Sequence, residues 1–223
     1  MGNRCNRFPW GNCGIDFYCG LDAMHEDAMH GISTKRENLM DKLNNKYRIP
    51  SARLQTWDYA SAGLYFITIC TKNRNHFFGE IEIGEMLLTG LGTLVQQEWL
   101  NTPSIRPDMH LQLGEFVVMP NHFHGVLDIG KNAFNTAVNR NSYKGVASAN
   151  KYGPQSKNLG SILRGFKSAV TTFARKNNIG FNWQERYHDH IIRDYGECIR
   201  ISNCIIHNIA NWKDDRFYQG PPS

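Results

Sequence analysis

His122 and His124 stand either side of one phenylalanine in Met119-Pro-Asn-His-Phe-His-Gly125, which runs on into Val126-Leu-Asp-Ile129. The segment reads as a strand, and side chains alternate along a strand, so both imidazoles project from one face. Two imidazoles so placed suit one divalent cation. The competing reading is a pair of partly buried histidines satisfied by hydrogen bonds. Three further features favour the metal. Tyr187-His-Asp-His-Ile-Ile-Arg193 carries His188 and His190 at the same spacing, and a helical stretch near the C-terminus carries His207 and Asn208 as further candidate ligands. Arg164, Lys167 and Arg175 lie on another helical pattern and suit phosphate. Arg164 and Lys167 share one helical side, which a solvated basic stripe would also explain. Mixed imidazole and amide ligation fits Mg²⁺ or Mn²⁺ with positions open to phosphate oxygens, and argues against a closed zinc site.

The elements that must hold these residues follow from periodicity. Leu64-Tyr-Phe-Ile-Thr-Ile-Cys-Thr71 reads as a strand buried on both faces. Glu80 to Thr89, broken at Ile83-Gly84, suggests a small hairpin. Leu91, Leu94, Val95 and Trp99 recur at helical spacing, with Pro103 and Pro107 expected to end that helix. Glu115 to Met119 is a strand, Pro120-Asn121 a turn or bulge, and His122 to Ile129 the return strand. At that turn Asn121 reads as a turn-closing residue rather than one that orients a ligand. Ile162, Phe166, Ala169, Val170 and Phe173 mark a second helix capped by Asn158 or Ser161. Tyr187 to Arg193 is a fourth strand, and Cys198, Ile201, Ile205 and Ile209 mark the buried face of a last helix. The order βαββαβ plus a C-terminal helix predicts an α+β, ferredoxin-like domain with an antiparallel sheet.

Composition bounds the rest. At 223 residues and 41% apolar content the chain holds a real core. No apolar run of membrane-spanning length occurs and the N-terminal stretch lacks a secretory core, so a soluble cytoplasmic protein with no membrane partner is expected. The six cysteines form no CxxC pair, which favours reduced thiols over a disulfide scaffold. Of the net charge of +5, residues 140–213 supply twelve Lys/Arg against four Asp/Glu, a balance of +8. A basic C-terminal half favours a polyanionic partner, nucleic acid first. Residues 1–45 contain the tandem Asp22-Ala-Met-His25 and Asp27-Ala-Met-His30 and read as a flexible extension to a domain at 46–223. Residues 130–158, rich in Asn, Ser, Gly and Lys, read as a long loop.

Several ordered stretches together carry a resemblance. Tyr47-Arg-Ile-Pro-Ser-Ala-Arg53, Tyr65-Phe-Ile-Thr-Ile-Cys-Thr-Lys-Asn-Arg74, the two-histidine motif, Gly160-Ser-Ile-Leu-Arg-Gly-Phe-Lys-Ser-Ala169 and His188-Asp-His-Ile-Ile-Arg193 resemble the REP-associated tyrosine transposases of the HUH kind. That resemblance, running from about Lys46 to Tyr218, implies cutting and rejoining of single-stranded or hairpin DNA. It implies a divalent ion, Mg²⁺ or Mn²⁺, held by His122, His124 and a side chain of the last helix. The ion acts as Lewis acid and template, while a helical tyrosine attacks phosphorus and forms a covalent link. The family's Tyr-Ile-x-x-Asn run corresponds here to Cys204-Ile-Ile-His-Asn208. Asn208 takes the ligand position, and cysteine stands where the nucleophilic tyrosine is expected.

A thiolate is soft, lacks the reach of a phenol, and is kept protonated by an apolar setting. Cys204 is therefore expected to support cleavage poorly or not at all. Tyr195, nine residues earlier, falls on the opposite helical side at 100° per residue. Tyr187, read on a strand next to the site, is the better surrogate though a weak one, and His190 matches a histidine common near the family's active site, His188 less clearly. Arg164, Lys167, Arg175 and Arg193 are the expected DNA contacts. A decayed or repurposed DNA-binding protein is the alternative to an enzyme, and related enzymes include monomers and homodimers. Histidine-motif hydrolases fit worse: position 126 is Val, and no duplicated His-x-Ser/Thr motif is present.

Overall fold

The computed structural model describes residues 57–136 and 156–218. The expectations for residues 1–45, and for most of the loop at 130–158, lie outside the described residues. Strand β1 (Gly63–Cys70) precedes a hairpin of β2 (Gly79–Glu82) and β3 (Glu85–Leu88). Helix α1 (Gly90–Ile105), β4 (Leu111–Met119), β5 (His122–Ile129), α2 (Leu159–Lys176), β6 (His188–Ile192) and α3 (Tyr195–His207) follow. The main sheet has the order β4-β5-β1-β6, and every neighbouring pair is antiparallel. This is the βαββαβ arrangement with a further helix that periodicity predicts.

Local chemistry explains the element boundaries. Thr89 caps α1 by accepting from the Gly92 amide. The helix runs two residues beyond Pro103, because a proline in the last turn removes a hydrogen bond that the frayed end scarcely needs. Asn158 and Ser161 are not alternatives at α2: each side chain accepts from the other's backbone amide, a reciprocal capping box. Ile83 and Gly84 both take positive φ, the backbone of a tight hairpin turn. Helix α3 stops at His207, so Ile209 lies beyond it and Asn208 is its C-cap.

Alternation along β1 and β5 divides the molecule. Tyr65, Ile67, Ile69, Phe123, Leu127 and Ile129 join one core cluster, to which α1 gives Leu91, Val95 and Trp99, and α2 gives Ile162, Phe166 and Val170. Trp99 lies 4.8 Å from Phe123 and 5.6 Å from Phe166, ring centre to ring centre. Ile201 and Ile205 of α3 are buried but stand outside that cluster, and α3 packs on β4 and β5. Helix α3 thus covers the second face, the one that carries Phe66, Thr68, His122 and His124.

Gly125 lets the layers close. A Cβ there would sit 2.9 Å from both the Phe123 ring and the Trp99 ring. Gly125→Ala should therefore destabilise the fold by about 1–3 kcal/mol through overpacking, measured as a lower urea midpoint with an unchanged slope.

Candidate metal centre

Cross-strand register sets the centre. His122 pairs with Met119 on one side and Cys70 on the other, and His124 pairs with Val117 and Thr68. The imidazole rings are 4.5 Å apart and nearly perpendicular. Both are buried, His122 wholly and His124 to within 8%. A buried imidazole must satisfy its nitrogens or hold something. Asn121 donates its Nδ2 to the Phe217 carbonyl at 2.9 Å, which turns its Oδ1 toward His122 Nδ1 at 2.9 Å. That oxygen can only accept, so the His122 proton sits on Nδ1. Nε2 is then a bare lone pair, and it has no hydrogen-bond partner. His124 Nδ1 lies 2.8 Å from Thr68 Oγ1. Donation from Nδ1 to that hydroxyl leaves its Nε2 bare as well.

The sequence offers no periodic signal for the next member. After α3 the chain turns through a short 3₁₀ segment, Trp212–Asp214, and delivers Asp215 to the histidines. Ligand atoms of His122, His124 and Asp215 all lie within 4.8 Å of one another. Asp215 Oδ2 is 3.8 Å from His122 Nε2 and accepts from Asn208 Nδ2 at 3.1 Å. Asn208 Oδ1 is buried without a partner. A bare imidazole nitrogen beside a second imidazole and a carboxylate is a donor set that fits a divalent cation. The donor set of two imidazoles, a carboxylate and an amide oxygen fits Mn²⁺ or Mg²⁺.

A protein of Haemophilus influenzae without an assigned function is 39% identical to this chain over 169 residues, 75% of this chain and 92% of that protein. The chain belongs to the family of that protein. No family model matches the chain. Among solved structures, it is similar to a REP-associated tyrosine transposase bound to a REP hairpin. That similarity has 17% identity and a TM-score of 0.47, and covers 72% of this chain and 74% of the other. It is also similar to a candidate transposase from Deinococcus radiodurans, at 16% identity and a TM-score of 0.31 over 66% of this chain and 90% of that one. The α+β architecture of this family member rests on its own strand pairing rather than on either likeness.

The other residues singled out by sequence fall in three places. Asn208 is beside the histidines, one hydrogen bond from Asp215. Cys204 is half-buried on α3, one turn before it. His188 lies across β1 from His124, since both pair with Thr68. His190, one row further along, is held by Glu197 at 2.7 Å, and Glu197 also takes the Arg193 backbone amide. Tyr187 is elsewhere: it packs against the core cluster, on the opposite side of the sheet from His122. There it lines a groove of about 600 Å³ with Arg164, Lys167, Arg175, Trp183 and Arg186. Lys167 is also a tie, donating to the carbonyls of Gln184 and Arg186. The side chain of Asn121 does more than close its turn, because it fixes the His122 proton and anchors Phe217.

Burial first, then the neighbouring His124, Arg74 and Arg216 charges, holds the His122 pKa well below the ordinary range. His124 is lowered to about 3, chiefly by burial and then by Arg216. Both are neutral in the folded protein near pH 6.5, the ordinary value. Above that pH neither form binds a proton and these groups leave stability unchanged. Below it the unfolded chain takes up protons that the native state refuses. Stability without added metal should thus fall as pH drops below about 6.5, by roughly 1 kcal/mol per pH unit for each imidazole still neutral in the native state, in the case of His124 until about pH 3. Urea midpoints across that range check this, and replacement of His124 by a neutral residue should flatten the slope.

Proposed function

We propose that this chain binds one divalent cation, Mg²⁺ or Mn²⁺, through His122, His124 and Asp215, with Asn208 presenting its amide oxygen to the same place. The observation that carries this is the convergence of His122, with its bare Nε2, and His124 on the Asp215 carboxylate, their ligand atoms all within 4.8 Å of one another. On this reading the protein is a transposase-like member of the HUH kind that takes single-stranded or hairpin DNA, with strand cleavage impaired. A bound ion would polarise a backbone phosphate as a Lewis acid. The chain's own side chains do the rest. Asn121 holds the His122 tautomer, Thr68 orients His124, and Asp215 is steered by Asn208 and the Phe217 amide.

The groove beside α2, with Arg164, Lys167, Arg175 and Arg186 among its lining, suits the backbone of a nucleic acid strand through charge. Arg193, exposed just past the end of β6, is a further candidate contact for the strand. Cys204 stands one helical turn before Asn208 and supplies no phenol there. Tyr187 lines the groove on the far face of the sheet and does not replace it. A second reading, DNA binding with the chemistry lost, is favoured by this substitution and by the Phe217 ring lying 4.7 Å over that of His122.

Titration with Mn²⁺, followed by the loss of its free electron-paramagnetic signal, should find one ion per chain. His122→Ala and Asp215→Asn should abolish binding, and Asn121→Ala should weaken it about 10–100-fold through the second shell. A wild-type protein that leaves Mn²⁺ free sinks the metal reading. A labelled hairpin oligonucleotide with Mn²⁺ should be bound yet give no covalent adduct on a denaturing gel. An adduct that persists in Cys204→Ser would return the nucleophile role to a tyrosine and refute the loss of cleavage.

A further inference from the structure

Two guanidinium groups flank the histidine pair, and neither is explained by the cation site. Arg74 stands 4.0 Å from the centre of the Phe217 ring and Arg216 stands 4.5 Å from it. Both charges act on both imidazoles, depressing the pKa of His122 and His124. Among the described residues neither guanidinium pairs with a carboxylate. The hydrogen bond that Arg74 makes is to the Cys70 sulfur, at 2.7 Å, a weak acceptor for so strong a donor.

The backbone is bent to place the first of them. Asn73 and Arg74 are consecutive residues with φ of +58° and +60°. Left-handed backbone at a long L side chain costs about 1–2 kcal/mol. It returns Arg74 from the end of β1 over the same face as His122. Arg216 is supplied from the other side, between Asp215 and Phe217, on the segment that closes the site. Two guanidinium groups face this place against the single Asp215 carboxylate that shares it with the histidines, so positive charge is in excess. A divalent cation would raise that charge further. Positive charge gathered around a buried centre, with donors left unused, calls for an anion.

We propose that Arg74 and Arg216 form a clamp for one phosphodiester of a single-stranded nucleic acid, held against the Phe217 ring that lies over His122. The inference rests on the reading of this centre as a DNA site and names the residues that would grip the strand there. Arginine suits the role because its planar fork meets two phosphate oxygens at once. Phe217, between the two guanidiniums, keeps both in place by cation–π contact. The groove beside α2 lies on the opposite face of the sheet, so the clamp and the groove take different parts of one strand.

The test is the salt dependence of binding of a fluorescent single-stranded oligonucleotide to the full chain, measured by anisotropy with EDTA and again with Mn²⁺. Arg74→Gln and Arg216→Gln should each weaken binding about tenfold, as expected for a charge-assisted contact. Each should also lower the log–log salt slope by about 0.7, one phosphate contact. Arg74→Lys should keep the slope and lose part of the affinity, since it retains charge without the fork. Mn²⁺ binding, read separately by paramagnetic resonance, should survive in both glutamine variants. If the wild type leaves Mn²⁺ free, the metal reading fails while the EDTA slopes still decide the clamp. Unchanged slopes with a lowered thermal midpoint would assign both arginines to holding Phe217 and overturn the proposal.

Discussion

The candidate centre depends on one buried amide. From the β4–β5 turn, Asn121 joins the neighbouring His122 imidazole to the Phe217 carbonyl far along the chain. Its backbone carbonyl also takes the amide and hydroxyl of Thr71, just past the end of β1. Because the amide has one donor end and one acceptor end, anchoring the donor on Phe217 leaves only the acceptor for His122. The tautomer of His122 is thereby decided by hydrogen-bond polarity. Replacing such a group leaves buried partners unsatisfied, which costs more than the bond itself contributes.

The sheet supplies the second constraint. With a period of two, each strand sends alternate residues to opposite layers, so one strand can build a dry core and a polar centre together. In β5, Phe123 and Leu127 face α1 and α2 while His122 and His124 face α3. The same parity separates β6: His188 pairs with Thr68 on the centre's face, while Tyr187 and Ile191 pack on the core.

That parity shows how far the sequence could be read. The strands, the helices and the pairing of His122 with His124 are all legible, because buried faces impose periods of 2 and 3.6 on residue choice. Tyr187 was misplaced: it reads as next to the site, although a strand with His188 and His190 on one face must turn it to the other. Asn208 was reached through resemblance and falls beside the histidines. Asp215, Arg74 and Arg216 were not legible. They arrive on turns, where no period operates, and their placement depends on tertiary contacts between segments far apart in the chain. Asn121 was misjudged for a related reason: a turn asparagine has a local explanation, and its distant partner Phe217 cannot be seen from the turn.

The bond between Asn121 and Phe217 spans 96 residues. During synthesis, the two-histidine strand emerges from the ribosome long before Asp215, Arg216 and Phe217 do. Contacts of such separation form late, after more local ones. The nascent protein can therefore pair its sheet while its polar centre is still missing a carboxylate, a guanidinium and a cover. The centre is complete only in a chain that has been made through residue 217.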